Sequence, residues 1–351
     1  MIISPLRIFK ILLVTYTLLC GVLFYFQENL IFFPQKLDNN YQFNFDQKFE
    51  EVNIKTSDNV VLNGLLFKAD SSKGLIFYLH GNAGSLSTWG NVAKTYTDLN
   101  YDVFMLDYRG YGKSEGSISS EEQLFKDLQI VYDLIKKRYS EDKIIVLGYS
   151  IGSGLAAELA STNKPKLLIL QAPYYSLTDL MRHSYPIIPT FILKYKFKTN
   201  EYIKECTMPI VVFHGNQDEV IYYGSSLKLE KEFKTTDKLI TLEGQEHNGM
   251  TDNPDNINEI RKILNGDRNT ELKNKIIGIW TDGNSGNATF RIDDDSIFYV
   301  DALESFKYTL NADTIAVQYS DDTVSCKVSF KDDTLLMVSE NETAKLWKFE
   351  N

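Results

Sequence analysis

The sequence predicts an α/β protein: a mostly parallel sheet covered by helices on both faces, preceded by an N-terminal transmembrane helix and followed by a small all-β domain. Three observations predict it. Short apolar runs alternate with helical patterns through the middle of the chain, which is the order of strand–helix–strand units. A charge-free stretch, "ILLVTYTLLCGVLFYF", lies at residues 11–26. Beyond about Lys275, β-rich runs recur roughly every ten residues with no helical spacing between them.

The bulk numbers fit this division. A chain of 351 residues, 43% hydrophobic and 24% charged, has apolar material for more than one globular core. The expected parts are an anchor at 1–30, an α/β domain at 31–266 with a cap insertion at 173–206, and a β-barrel at 267–351. The net charge of −10 excludes nucleic acid as the main partner, because such binding needs a basic face. Three cysteines, Cys20, Cys206 and Cys326, are too few for a disulfide scaffold, and no Cys/His cluster suggests structural zinc.

The charge-free stretch spans about 24 Å as a helix, and Ile8, Phe9 and a snorkelling Lys10 extend it toward the ~30 Å of a bilayer core. Aromatic residues gather at its far end, Phe24 to Phe26 and then Phe32 and Phe33, as at a membrane interface. Arg7 and Lys10 precede it and Glu28 follows. That asymmetry predicts a single-pass anchor with its N-terminus cytoplasmic and the rest of the chain on the outer side. No small-residue cleavage site of a signal peptide is present.

After the anchor, "EEVNIKT" and "VVLNGLLFKA" alternate like paired strands around a turn at 57–59. "GLIFYL", "YDVFMLDY", "KIIVLG", "KLLILQA", "PIVVFHG" and "KLITLEG" are continuous apolar runs, the mark of strands buried on both faces. Between them, Ser120–Gln123 is a capping box followed by Leu124, Leu128, Val131 and Leu134 at helical spacing. Further helices are predicted after Ser150, from Ser226 to Phe233, and from Asn256 to Leu264 with Gly266 as the stop. The segment Pro173–Cys206, rich in Tyr, Phe and Ile, breaks the rhythm and reads as a cap over one edge of the sheet. In the tail, eight runs from "IIGIWT" to "AKLWKF" predict an antiparallel meander closing into a small barrel.

The chemistry centres on "VLGYSIGSG" (146–154). A serine at a sharp strand-to-helix turn must adopt a strained backbone to project its hydroxyl, and its neighbours at −2 and +2 must be small. Gly148-Tyr149-Ser150-Ile151-Gly152 has that form, and Gly154 with the following alanines is expected to let the helix approach the strands. Two other glycine motifs fail. Gly152–Ala157 lacks the acidic residue that a dinucleotide fingerprint needs on the next strand. Gly112-Lys113-Ser114 has Asp107 where a phosphate loop needs glycine.

A serine nucleophile needs a base, and the base needs an orienting group. Of four histidines, His80 and His214 end buried strands in His-Gly pairs and read as structural, while His183 reads as a surface residue. His247 follows the last strand of the sheet, at the edge where α/β sites collect. Asp218, just past the strand that ends at Gly215, is the expected acid, with Glu219 and then Asp252 as alternatives. The order Ser150, Asp218, His247 is that of a serine hydrolase on this architecture. The oxyanion donors are expected to be the N–H of Ile151 and that of Asn82 in "HGNAGS". No metal or organic cofactor is implied. The expected partners are a small-molecule or acyl-ester substrate and the membrane.

The pieces "QENLIFFP", "YLHGNAGS", "DYRGYGKSEG", "LGYSIGSG", "FHGNQDEVI" and "GQEHNG" carry a resemblance to the alpha/beta-hydrolase superfamily over residues 30–265. The chain is most similar to membrane-anchored serine hydrolases of the bud-emergence type, with protein-depalmitoylase and lipase-like relatives. The resemblance implies the alpha/beta-hydrolase fold and acyl transfer, with Ser150 as nucleophile, Asp218 and His247 completing the triad, and Asn82 and Ile151 forming the oxyanion hole. It also implies that Asp107 and Arg109 are structural. Glu246, before His247, departs from the small residue usual there. The tail resembles a small lipocalin-like module through Gly278-Ile279-Trp280, and Trp280 and Trp347 are expected in its core.

Overall fold

The computed structural model describes residues 4–349 apart from 265–267, 284–286, 312, 321, 340 and 341. The helical stop expected at Gly266 therefore lies outside the described residues. Contacts divide the chain into two compact units, Met1–Ile257 and Asn258–Asn351.

The first unit begins with α1 (Pro5–Ile31), a 27-residue helix with a mean hydropathy of 2.0 over its most apolar window and no part of that window buried. It is long and apolar enough to cross a membrane. A two-residue strand β1 (Phe33–Pro34) follows, then β2 (Phe49–Lys55), β3 (Val61–Phe67), β4 (Leu75–Leu79) and the short β5 (Ala83–Gly84). Two short helices, α2 (Leu86–Trp89) and α3 (Ala93–Thr97), lead to β6 (Asp102–Leu106). At four and five residues they carry too little period to be legible in sequence. Next come α4 (Glu121–Lys136), β7 (Ile144–Tyr149), α5 (Ile151–Ser161) and β8 (Leu167–Gln171). The cap segment holds α6 (Leu177–Ser184) and α7 (Thr199–Glu205), and β9 (Ile210–Gly215), α8 (Gly224–Glu230) and β10 (Lys238–Leu242) complete the sheet.

The sheet has eight strands in the order β10-β9-β8-β7-β4-β6-β3-β2. The strands from β10 to β6 pair in parallel, while β3 is antiparallel to β6 and β2 to β3. Burial explains the apolar runs: every residue of β4, β6, β7 and β9 is buried, because helices cover both faces. The helix α4 starts as its capping box implies, with Ser120 Oγ accepting from Gln123 N at 3.1 Å. The return bond reaches one residue further back, from Ser119 N to Gln123 Oε1 at 2.9 Å. All three cysteines are free.

Across the unit boundary runs α9 (Pro254–Leu264). In the second unit, α10 (Arg268–Ile276) precedes the strands, a helix not expected within the β-barrel segment at 267–351. Its Leu272 and Ile276, four residues apart, face the barrel core, and two such anchors are too few to stand out in so polar a stretch. The strands β11 (Gly278–Thr281), β12 (Phe290–Ile292), β13 (Ser296–Tyr299), β14 (Glu304–Asn311), β15 (Thr314–Gln318), β16 (Thr323–Lys331), β17 (Thr334–Val338) and β18 (Thr343–Lys348) form a closed antiparallel barrel. Trp280 pairs with Lys348 and Thr281 with Trp347 to close it. Its interior is filled by Trp280, Phe290, Ile292, Ile297, Ile315, Leu335 and other apolar side chains. Trp347 corrects the expectation of a core residue. On β18 the inward position is Leu346, so strand alternation turns Trp347 out, where it is 45% exposed.

Candidate active site

The chain turns directly from β7 into α5 at Ser150. Its φ of 54° and ψ of −119° put a non-glycine residue in a sparsely allowed region. The bend dictates its neighbours. A Cβ on Gly148 would stand 2.3 Å from Gly152 O, and one on Gly152 would stand 2.2 Å from Leu79 O. Both glycines are therefore steric requirements of the turn. Gly154 serves a different purpose from the one expected. A Cβ there would meet the Tyr174 hydroxyl at 2.0 Å, and that hydroxyl donates to Ile151 O at 3.1 Å. Gly154 makes room for a tyrosine at the start of the cap segment, while close approach to the sheet falls to Ala156 against Gly148.

Two loops at the same sheet edge complete the arrangement. Past β9, Asp218 is buried, with its Oδ1 accepting from Val220 N at 2.9 Å and Ile221 N at 2.8 Å. Past β10, His247 is also buried. Its Nδ1 lies 2.7 Å from Asp218 Oδ2 and its Nε2 lies 3.0 Å from Ser150 Oγ. A carboxylate only accepts, so Nδ1 carries the proton and the Nε2 lone pair faces the serine hydroxyl. Burial by itself would raise the Asp218 pKa. Hydrogen bonds from His214 and His247 and the Ile221 N–H outweigh it and hold the carboxyl well below the usual carboxylate range. Glu219 and Asp252, the alternative acids, are both exposed, as is Glu246.

The loop after β4 lies against the bend. A Cβ on Gly81 would come 3.0 Å from the rings of both Tyr149 and Trp89, so a larger residue there would press on the two aromatic side chains. Asn82 follows, fixed through its carbonyl, which accepts from Tyr111 Oη at 2.6 Å, and through Oδ1, which accepts from Phe33 N at 3.3 Å. Ile151 opens α5, and the first N–H groups of a helix have no acceptor within it. Asp107 is fully buried and accepts from Leu86 N at 3.0 Å, while Arg109 pairs with Asp58 and Asp127. His80 is buried among Trp89, Tyr108 and Tyr111. His183 is exposed and stacks on Tyr222, with ring centroids 3.7 Å apart.

His214 differs from the purely structural role expected of it. Its Nε2 stands 2.8 Å from Ile221 O and 3.3 Å from Asp218 Oδ2, and its Nδ1 lies 2.6 Å from Ser226 Oγ. The carbonyl can only accept, so Nε2 carries a proton that also faces Asp218, and the Ser226 hydroxyl donates to Nδ1. Asp218 thus sits between two imidazoles. The sequence signal was there: in "FHGNQD" the histidine precedes the acid by four residues. Tyr149 was also missed, its hydroxyl donating to the His247 carbonyl and holding the histidine loop to the bend.

Comparisons with known proteins bear on the family and the fold. The family described as serine aminopeptidase S33 matches residues 70–201, a span that includes Ser150 and stops before Asp218. Protein bem46 of Schizosaccharomyces pombe is 31% identical over 218 residues, which is 57% of this chain and 73% of that protein. Alpha/beta hydrolase domain-containing protein 17B of Xenopus laevis is 30% identical over 186 residues, 51% of this chain and 62% of that protein. Among solved structures, an esterase of Pyrococcus furiosus superposes with a TM-score of 0.55 at 18% identity, covering 67% of this chain and 97% of the esterase. At that identity the likeness speaks for the fold alone.

Proposed function

The chain belongs to the alpha/beta-hydrolase family and is a hydrolase of the serine type, and from that premise we propose that it is a membrane-anchored enzyme cleaving carboxylic esters or thioesters of acyl, lipid-like substrates. The observation that carries this reading is the continuous relay from Asp218 Oδ2 through His247 to Ser150 Oγ, at 2.7 and 3.0 Å. Ser150 Oγ attacks the carbonyl carbon as His247 Nε2 takes its proton. Asp218 holds the ring in the required tautomer and stabilises the imidazolium. The N–H groups of Ile151 and Asn82 receive the oxyanion, each such donor contributing about 3–4 kcal/mol to the transition state. The imidazolium gives its proton to the leaving group, leaving an acyl-enzyme, and water activated by the same histidine releases the acyl group.

The helix α1 supports the anchor, and we read it as single-pass with the N-terminus cytoplasmic and the catalytic unit on the outer side. The parts are taken as an anchor at 1–30, a hydrolase domain at 31–266 with its cap at 173–206, and a lipocalin-like barrel at 267–351. The matching family's description favours a second reading, peptide-bond cleavage on the same relay. A serine-directed fluorophosphonate probe tests the main proposal. Wild type should label, and Ser150→Ala should lose both label and about 10⁴–10⁶-fold in kcat while staying folded. Folded wild type that takes no label would leave a tethered binding protein instead. Turnover of an amide at the rate of the matching ester would favour the peptidase.

A further inference from the structure

The cap segment between α6 and α7 contains nine residues, "YPIIPTFIL" (185–193), with no charge among them. Tyr185, Ile187 and Phe191 are 62%, 80% and 85% exposed. Such side chains in one short segment are out of place against water.

What they lie beside is α1. Tyr16 Oη donates to Ile187 O at 2.6 Å, Gln27 Nε2 donates to Ile192 O at 3.2 Å, and Lys194 N donates to Gln27 Oε1 at 2.8 Å. Lys194 Nζ pairs with Glu28 at 3.0 Å. From Tyr16 to Gln27 the helix rises about 16 Å. The segment itself is a turn at Pro186 and Ile187 followed by a single 3-10 turn at Thr190–Ile192. The bonds from Tyr16 and Gln27 set Ile187 against the middle of the charge-free run and Ile192 against its polar end.

From this juxtaposition we propose that residues 185–193 are embedded in the bilayer alongside α1, as a second membrane contact that presents the catalytic unit to substrates dissolved in lipid. The inference rests on the reading of α1 as an anchor. The backbone chemistry suits it. Non-helical chain at hydrocarbon depth needs its polar groups satisfied within the protein. Pro186 and Pro189 have no N–H to leave bare. Tyr16 and Gln27 bond the carbonyls of Ile187 and Ile192, and Ile188 N and Ile192 N bond Tyr185 O and Pro189 O at 2.9 and 3.2 Å. Basic residues bracket the segment in the sequence, Arg182 and His183 before it and Lys194, Lys196 and Lys198 after it, a pattern suited to anionic headgroups. Near the start of the same cap, the Tyr174 hydroxyl donates to Ile151 O, so the embedded segment is joined to the nucleophile turn.

The test places an environment-sensitive fluorophore on full-length protein in phosphatidylcholine vesicles containing chain-brominated lipid. The native cysteines are removed by Cys20→Ser, Cys206→Ala and Cys326→Ser, and single cysteines are set by Ile187→Cys, Phe191→Cys, Leu19→Cys in α1 and Val220→Cys as a water-facing control. Quenching at 187, 191 and 19 but not at 220 is expected. Quenching at 19 alone overturns the inference and leaves the anchor standing. No quenching at 19 overturns both. A second measurement uses Ile187→Asp/Phe191→Asp, expected to lower hydrolysis of a long-chain ester in vesicles by about tenfold or more. Turnover of a short, water-soluble ester should hold. An equal loss on both esters would mean the segment serves only the cap's folding and would overturn the proposal.

Discussion

Two strand ends in this chain carry the same tripeptide. His80-Gly81-Asn82 follows β4 and His214-Gly215-Asn216 ends β9. Each histidine is buried and faces a buried aspartate, His80 with Asp107 at 3.6 Å and His214 with Asp218 at 3.3 Å. The two carboxyls nevertheless go opposite ways. Burial dominates at Asp107 and raises its pKa above the usual range despite His80 and the Leu86 N–H. At Asp218, His214, His247, Val220 N and Ile221 N surround the carboxyl and lower it. The lesson is that burial and a neighbouring histidine do not define an acid fit to orient a base. The number and aim of hydrogen-bond donors decide whether the charge survives burial.

Substitutions at the two sites put this contrast to the test. The largest effect belongs to Asp218→Asn, which should lower kcat by about 10⁴-fold by presenting a donor to His247 Nδ1 and favouring the wrong tautomer. If Asp107→Ala did the same, the contrast would collapse. That variant should instead cost about 1–3 kcal/mol of stability, because Leu86 N–H at the start of α2 loses its buried acceptor. It should appear as a lower melting temperature with near-normal turnover in the folded fraction. Smaller again is His214→Phe, which removes one donor facing Asp218. A loss of about tenfold in kcat is expected, equivalent to ~1.4 kcal/mol, with an altered pH–rate profile and little change in KM.

The smallest effect is a difference of pH dependence. An unfolded aspartate titrates near pH ~3.9. The lowered Asp218 contributes stability that is present above that pH and is lost as pH falls toward its folded pKa. The raised Asp107 does the reverse: its contribution is present below ~3.9 and is lost as pH rises through its folded pKa. Melting temperatures should therefore show the Asp218→Asn deficit shrinking below about pH 4. Asp107→Asn should gain on wild type as pH rises above it. Parallel slopes would mean the two sites are electrostatically alike.

Most of the fold could be read from local pattern. Five of the six apolar runs became buried parallel strands because a sheet covered on both faces needs continuous apolar residues, while the sixth, β10, lies at the sheet's edge and only its Leu242 is buried. The eight runs of the tail became the eight strands of the barrel. Where reading failed, the signal was short or non-local. The helix α10 rests on two apolar residues, and Trp347 faces outward only because the register of β18 puts Leu346 inside.

Local pattern was enough to read the strands, the glycines at 148 and 152 that a serine turn demands, and a serine, an acid and a histidine in succession. It took the folded arrangement to bring Asp218 rather than its exposed neighbour Glu219 to His247, to set His214 behind the same carboxyl, and to lay the cap against α1. The physical reason is range. Backbone sterics and side-chain periodicity act within a few residues and leave their mark in composition. A hydrogen bond between residues 97 positions apart, as between Ser150 and His247, exists only once the parallel strands have set their ends at one edge.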